Sequence, residues 1–224
     1  RALKYGGGAK LENLKNEDIT ALKNGVDNLG VHIENMQKYG VPVVVTLNKF
    51  ETDTANEIEF IKKYCLDKSC EFAVSEIFAK GGDGGLDLVK KVCTACEKNS
   101  NFSPLYPDGL TIKEKILKIA KEIYRADGVV YTLEAEKSLS EIIKMGKENL
   151  PICIAKTQYS ISDDASKLGY PKNFNITIRD LTLSSGAGFI VALAGNILKM
   201  PGLPKIPAAE KINIGNNSKI SGIF

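Results

Sequence analysis

Tryptophan is absent, histidine occurs once, at His32, and no Gly-Lys pair is followed by Ser or Thr. Each absence excludes a class of function. Without Gly-Lys-[Ser/Thr] there is no Walker A phosphate loop in this chain. With one histidine, nothing serves Ser184-Ser185-Gly186-Ala187-Gly188 as a catalytic base, which removes a serine nucleophile there. No apolar run approaches the roughly 20 residues of a spanning helix, and no signal peptide is visible. Thirty basic and 27 acidic residues leave a net charge of +3, too near balance to argue for nucleic acid or a membrane surface. The five cysteines, an odd number without a secretory signal, are expected as free thiols in a reducing cytoplasm. Cys93 and Cys96 have the spacing of a metal or redox half-site. No second pair exists, and both are expected as buried core thiols.

The composition is otherwise that of a globular protein. Hydrophobic residues make up 43% and charged residues 25% of 224 positions, enough for one large domain or two modest ones. The chain starts at Arg1 without methionine, and a processed product or a piece of something longer is expected.

Val41 to Asp53, VPVVVTLNKFETD, is the stretch around which the rest is organised. Its short, β-branched apolar run reads as a strand buried on both faces of a parallel sheet. Arg1 to Lys4 reads as a strand tail or loop entry, and Gly6-Gly7-Gly8 as a tight backbone path. Asn16 is expected to cap a helix over 17–38, with Ile19, Leu22, Val26, Leu29, Ile33 and Met36 in one stripe and His32 and Glu34 beside it. A second helix is expected over 54–66, then a strand over 71–75, a glycine loop over 76–85 and a helix over 86–98. Strand, loop, helix, twice in succession, is the signature of a parallel α/β layer. Residues 99–109 read as a linker. Beyond it come a helix over 111–126 with its lysines outward, a strand over 129–132, a helix over 133–149 and a strand over 152–155. A long polar loop spans 157–173, followed by strands over 174–184 and 189–193. Asp163 and Asp164 are paired carboxylates of the kind that hold a cation or do acid–base work, but adjacent residues on a loop more often cap a helix, and that is the expectation here. Pro201, Pro204 and Pro207 predict an extended tail after Met200.

In open α/β sheets ligands bind beyond the carboxyl ends of the strands. Asn48, Lys49, Ser75 and Lys80 are therefore candidate nucleotide contacts. Asn48-Lys49-Phe50-Glu51 resembles the Asn-Lys-x-Asp element by which nucleotide switches read a purine base, with glutamate in fourth place. The same residues are also ordinary turn and cap chemistry, and Asp53 is expected to cap the next helix. Phe50 and Phe78 each follow a strand and fit no helix stripe. They either clamp a flat ring between them, adding roughly 0.5–1.5 kcal/mol beyond the buried area, or plug the ends of the sheet. No catalytic residue and no metal ligand is assigned.

Longer stretches add a family resemblance. RALKYGG resembles the end of a signature reading VATVRALK-x-[His/Asn]-Gly-Gly, with Gly6 where His or Asn is usual. VPVVVTLNKFETDT resembles VPVVVAINKFPTDT, with Glu51 for proline. AKGGDGG, PICIAKTQYSISDD, FNITIRDLTLSSGAGFIVALAG and KMPGLPKIPAAEKI match in order and spacing. Together these are similar to formate–tetrahydrofolate ligase, also called 10-formyltetrahydrofolate synthetase, over nearly the whole chain, in its C-terminal part.

The resemblance implies an α/β fold: a parallel sheet flanked by helices, part of a P-loop NTPase-like domain over 1–100, then a smaller α/β domain over 101–224. It implies a cytoplasmic, homotetrameric enzyme that joins formate to tetrahydrofolate with ATP and Mg, through formyl phosphate, activated by a monovalent cation (K or NH4). The family's phosphate loop would precede Arg1, so this polypeptide is expected to be inactive alone. The folate ring would lie between Phe50 and position 78, where the family has tryptophan and this chain has Phe78, with Val74 a small apolar contact. The alternative is a stand-alone nucleotide- or pterin-binding module without turnover.

Overall fold

The computed structural model describes residues 1–197, 205–215 and 220–222. It is a mixed α/β structure in which parallel pairings are flanked by helices. The chain opens with a short helix, α1 (Ala2–Gly6), where a strand tail or loop was expected. A long helix, α2 (Ile19–Gln37), follows. Its cap is Asp18 rather than Asn16, and the Asp18 carboxylate accepts the Ala21 N–H at 2.8 Å.

Strand β1 (Val44–Asn48), helix α3 (Ala55–Asp67), strand β2 (Glu71–Ser75), the short helix α4 (Ile77–Lys80) and helix α5 (Leu86–Cys96) form the first layer. β1 and β2 pair in parallel, Val44 with Glu71 through Asn48 with Ser75. Thr54 starts α3 with a capping box: its hydroxyl accepts the Glu57 N–H while Glu57 accepts the Thr54 N–H. Asp53, the expected cap, instead closes the preceding turn by accepting the Phe50 N–H at 2.9 Å. The expected loop over 76–85 is α4 followed by a 3-10 turn.

Two expectations of burial are corrected here. β1 is half-buried to exposed, not covered on both faces, because helices α3 and α5 pack chiefly against its neighbour β2. The well-covered strand is β2, in which Phe72, Ala73 and Ser75 are buried. Helix α5 turns Ala95 to the sheet and leaves Leu86, Val89, Val92, Cys93 and Cys96 exposed, so Cys93 and Cys96 are surface thiols and not core ones.

After the connecting segment come α6 (Ile112–Glu122), β3 (Gly128–Tyr131), α7 (Leu133–Lys144), β4 (Ile152–Ala155), β5 (Asn175–Ser184) and β6 (Phe189–Ala194). These strands form a four-stranded sheet in the order β3-β5-β6-β4, with one antiparallel pair, β5 and β6. Ile112 and Ile116 of α6, Ile142 of α7, and Ile176, Ile178 and Ile190 of the sheet make its core. Lys115 departs from the expected outward lysines. It is 2% exposed, and its ammonium donates to the carbonyls of Glu148, Asn149 and Leu150 at 2.9–3.2 Å, pinning the approach to β4.

Asp163 and Asp164 cap no helix. Asp163 accepts the Thr177 N–H at 2.8 Å, and Asp164 accepts from the N–H and hydroxyl of Ser166 at 2.9 and 2.7 Å. A last antiparallel pair, β7 (Asn213–Ile214) with β8 (Ile220–Ser221), lies in the C-terminal region. Pro201 and Pro204 lie outside the described residues.

Helix α2 serves both cores. Leu22 and Ile33 pack with Ile61, Cys65 and Phe72 of the first layer, while Val31 joins the core of the four-stranded sheet.

Candidate functional site at the strand ends

β1 and β2 finish level with one another. Asn48 is in register with Ser75, and the Lys49 N–H donates to the Ser75 carbonyl at 3.0 Å, so the ladder runs one residue past the strands. This places the segment from Lys49 to Asp53 beside the segment from Glu76 to Lys80. The Glu76 N–H donates to the Gly84 carbonyl at 3.0 Å, which folds the glycine turn back over the strand end. A Cβ on Gly84 would stand 2.5 Å from the Glu76 carbonyl group, so the close return needs glycine.

Glu76 ties the two segments together. Its Oε1 accepts from Lys49 Nζ at 2.9 Å and its Oε2 from Lys80 Nζ at 2.7 Å. Those hydrogen bonds, Lys80's first and then Lys49's, hold its carboxyl below the usual range. Two ammonium groups share this one carboxylate, which holds Lys49 and Lys80 side by side at the strand ends. Both pairs are partly exposed, so each adds little stability. Ser75 is buried at 7% exposure and presents little surface. Val74 is half-buried and packs against the first-layer core.

The two aromatic candidates stand in water. Phe50 is 41% exposed and Phe78, on α4, is 98% exposed, so neither ring plugs the sheet. One face of Phe50 is occupied by the Arg1 guanidinium, 4.0 Å from the ring centroid. Among the described residues the stacked ring pair is Tyr39 with Phe102, so Phe50 and Phe78 do not close on each other. Phe50 also lines a cavity of about 350 Å³ with Asn48, Asp53, Leu29, Ile58 and His32. Sequence reasoning missed Glu76 and Arg1. Glu76 directly follows a strand, which was a usable signal. Arg1 is 49 positions from Phe50, and no local pattern links them.

Among the described residues no three His, Cys, Asp or Glu side chains gather as a metal ion would require. No described helix is long and apolar enough to cross a membrane. In an open α/β layer, strand ends that carry amide, ammonium, carboxylate and exposed aromatic groups are the place where a ligand would bind. The family model for formate--tetrahydrofolate ligase matches residues 1–224, and the chain belongs to that family. Membership implies a ligase of one-carbon metabolism whose family substrates are tetrahydrofolate, formate and ATP.

Proposed function

We propose that this chain forms the folate-binding part of a formate–tetrahydrofolate ligase, with the pterin ring between Phe50 and Phe78 and Val74 near its edge. The family match over the whole chain is the observation that carries this reading. The strand ends support it. A phenyl ring left 98% exposed is costly in water and gains by stacking on a flat heterocycle. The ligand takes the free face of Phe50 or displaces the Arg1 guanidinium from the covered one.

In this reading Asn48, Lys49, Ser75 and Lys80 sit beside the nucleotide. ATP arrives with Mg, a monovalent cation activates, and the complete enzyme is a cytoplasmic homotetramer. Residues 1–100 belong to a P-loop NTPase-like domain and 101–224 to a smaller one. ATP and formate give formyl phosphate and ADP, and the folate amine takes the formyl group and loses its proton as phosphate leaves. The protein's share of such a reaction is positioning and charge stabilisation. With no Gly-Lys-[Ser/Thr] in its 224 residues, the chain by itself does not turn over. That same absence favours the second reading, a binding module without catalysis.

Titration with tetrahydrofolate tests the clamp. Phe50→Ala should weaken binding about tenfold, or about 1.4 kcal/mol, and Phe78→Trp should tighten it. Unchanged affinity in Phe50→Ala removes the clamp. Product from the purified chain with ATP, formate and tetrahydrofolate overturns the inactivity. Adding a polypeptide that carries the family's phosphate loop should restore product under the first reading and not under the second.

A further inference from the structure

A second, larger chamber lies where α2 faces β4 and β6, with a volume of about 910 Å³. That is within the range of small-molecule sites, roughly 300–1,000 Å³. His32 projects into it from α2, Ile123 and Tyr124 from the end of α6, Ile154 from β4, Lys156 from just beyond β4, and Leu193 from β6. No Asp or Glu is among the described residues that line it. At neutral pH the charged side chain there is Lys156, and His32 beside it is a ring that can donate a hydrogen bond or take up a proton.

Lys156 is half-buried in this wall. Its ammonium donates to the carbonyl of Thr157 at 2.9 Å and to that of Ser160, and it lies 5.0 Å from the centroid of the Tyr124 ring. An ammonium has three donors, so two carbonyls leave one. The acid whose charge acts on it, Asp163, already accepts the Thr177 N–H at 2.8 Å. Burial lowers Lys156 to about 8. Burial, and then the charge of Lys156, lowers His32. Lys156 would gain from an incoming anion, because a desolvated cation is stabilised by a counter-charge, and the same anion would favour proton uptake by His32.

We propose that this chamber binds an organic acid, its carboxylate set between Lys156 and His32 and its apolar body against Ile123, Tyr124, Ile154 and Leu193. The proposal stands apart from the ring site at Phe50. The cavity beside Phe50 also touches His32, so that residue supplies the control.

The protein has one histidine, and its ring therefore gives a single, unambiguous set of NMR signals. The probe is 4-aminobenzoylglutamate, a ring with carboxylates and no pteridine, titrated into the full chain. Saturable movement of the His32 ring signals is expected. Lys156→Met should weaken the affinity at least about tenfold, or about 1.4 kcal/mol. Phe50→Ala should leave it within about twofold. An unmoved His32 ring in the unmodified protein overturns the proposal whatever the variants do. So does wild-type affinity in Lys156→Met, or equal movement with inorganic phosphate at the same concentration, which would mean that charge alone suffices. Loss of the shift in Phe50→Ala would place the probe at the strand ends, and the chamber would fall while the ring site stood.

Discussion

Lys4 is 2% exposed and its ammonium donates to Glu57 Oε1 at 2.9 Å and to the Asn16 carbonyl at 2.8 Å. The Glu57 carboxylate also accepts the N–H groups of Asp18 and Thr54. Burial alone pushes Glu57 up, but the hydrogen bonds, Lys4's first, bring it below its ordinary 4.5. A lowered carboxyl stabilises the fold above that ordinary value, and the stabilisation is lost as pH falls through the lower, folded value. Lys4→Met should cost about 3–5 kcal/mol by stranding the carboxylate, read as a lowered urea midpoint at neutral pH. The deficit should shrink on acidification, and a deficit independent of pH would contradict the pairing. Thiols give a second test at this scale. Cys93, Cys96 and Cys153 are exposed, while Cys65 and Cys70 are buried. Burial, and then Cys70, pushes the Cys65 thiol up to about 12. A thiol-specific reagent should consume three thiols in the native protein and the other two only after unfolding. Fast reaction of five would show that the first-layer core is open.

Among the elements, α1 and α2 meet backbone to backbone. A Cβ on Gly25 would lie 2.0 Å from the Leu3 carbonyl oxygen, and one on Gly7 1.8 Å from that of Ala21. Alanine for glycine inside a helix ordinarily gains up to about 1 kcal/mol. Gly25→Ala should instead destabilise by about 1–3 kcal/mol through overpacking, measured by thermal unfolding. A stabilised variant would mean that α1 does not seat on α2. Gly30 faces only the Tyr64 hydroxyl, the end of a movable side chain, and Gly30→Ala should be milder. How far the sequence revealed these elements depends on their neighbours. The threonines before α3 and α6 form capping boxes with Glu57 and Glu114, a pattern visible in four residues. The helical identity of Ala2–Gly6 was not visible, because five residues are too few to show a period and α1 is held by contact with α2.

The whole molecule is joined through α2. Asn35, 3% exposed, donates to the Ile123 carbonyl at 2.8 Å and accepts from Arg125 at 2.8 Å. Arg125 also pairs with Glu34 at 3.3 Å. The connecting segment is stitched to the end of the same helix: Asn101 N–H donates to the Gly40 carbonyl at 3.0 Å and Ser103 N–H to that of Tyr39 at 3.1 Å. Asn35→Ala should cost about 2 kcal/mol by leaving buried partners unpaired. Because α2 enters both cores, the slowest-exchanging amides of β2 and β5 should lose protection equally. Loss confined to one strand would show that the cores open independently.

The sequence by itself determined the kinds and order of the central elements, the absence of a Walker A loop from these residues, and the family, since periodicity, caps and long motifs are local properties of the chain. Which strand is covered, that Leu86, Val89 and Val92 face outward, that Lys4 and Lys115 point inward, and that Arg1 lies over Phe50 were decided by the tertiary structure alone. A pattern of apolar positions says that a face exists. What lies against that face depends on partners tens of residues away, and their packing and hydrogen bonds fix the outcome.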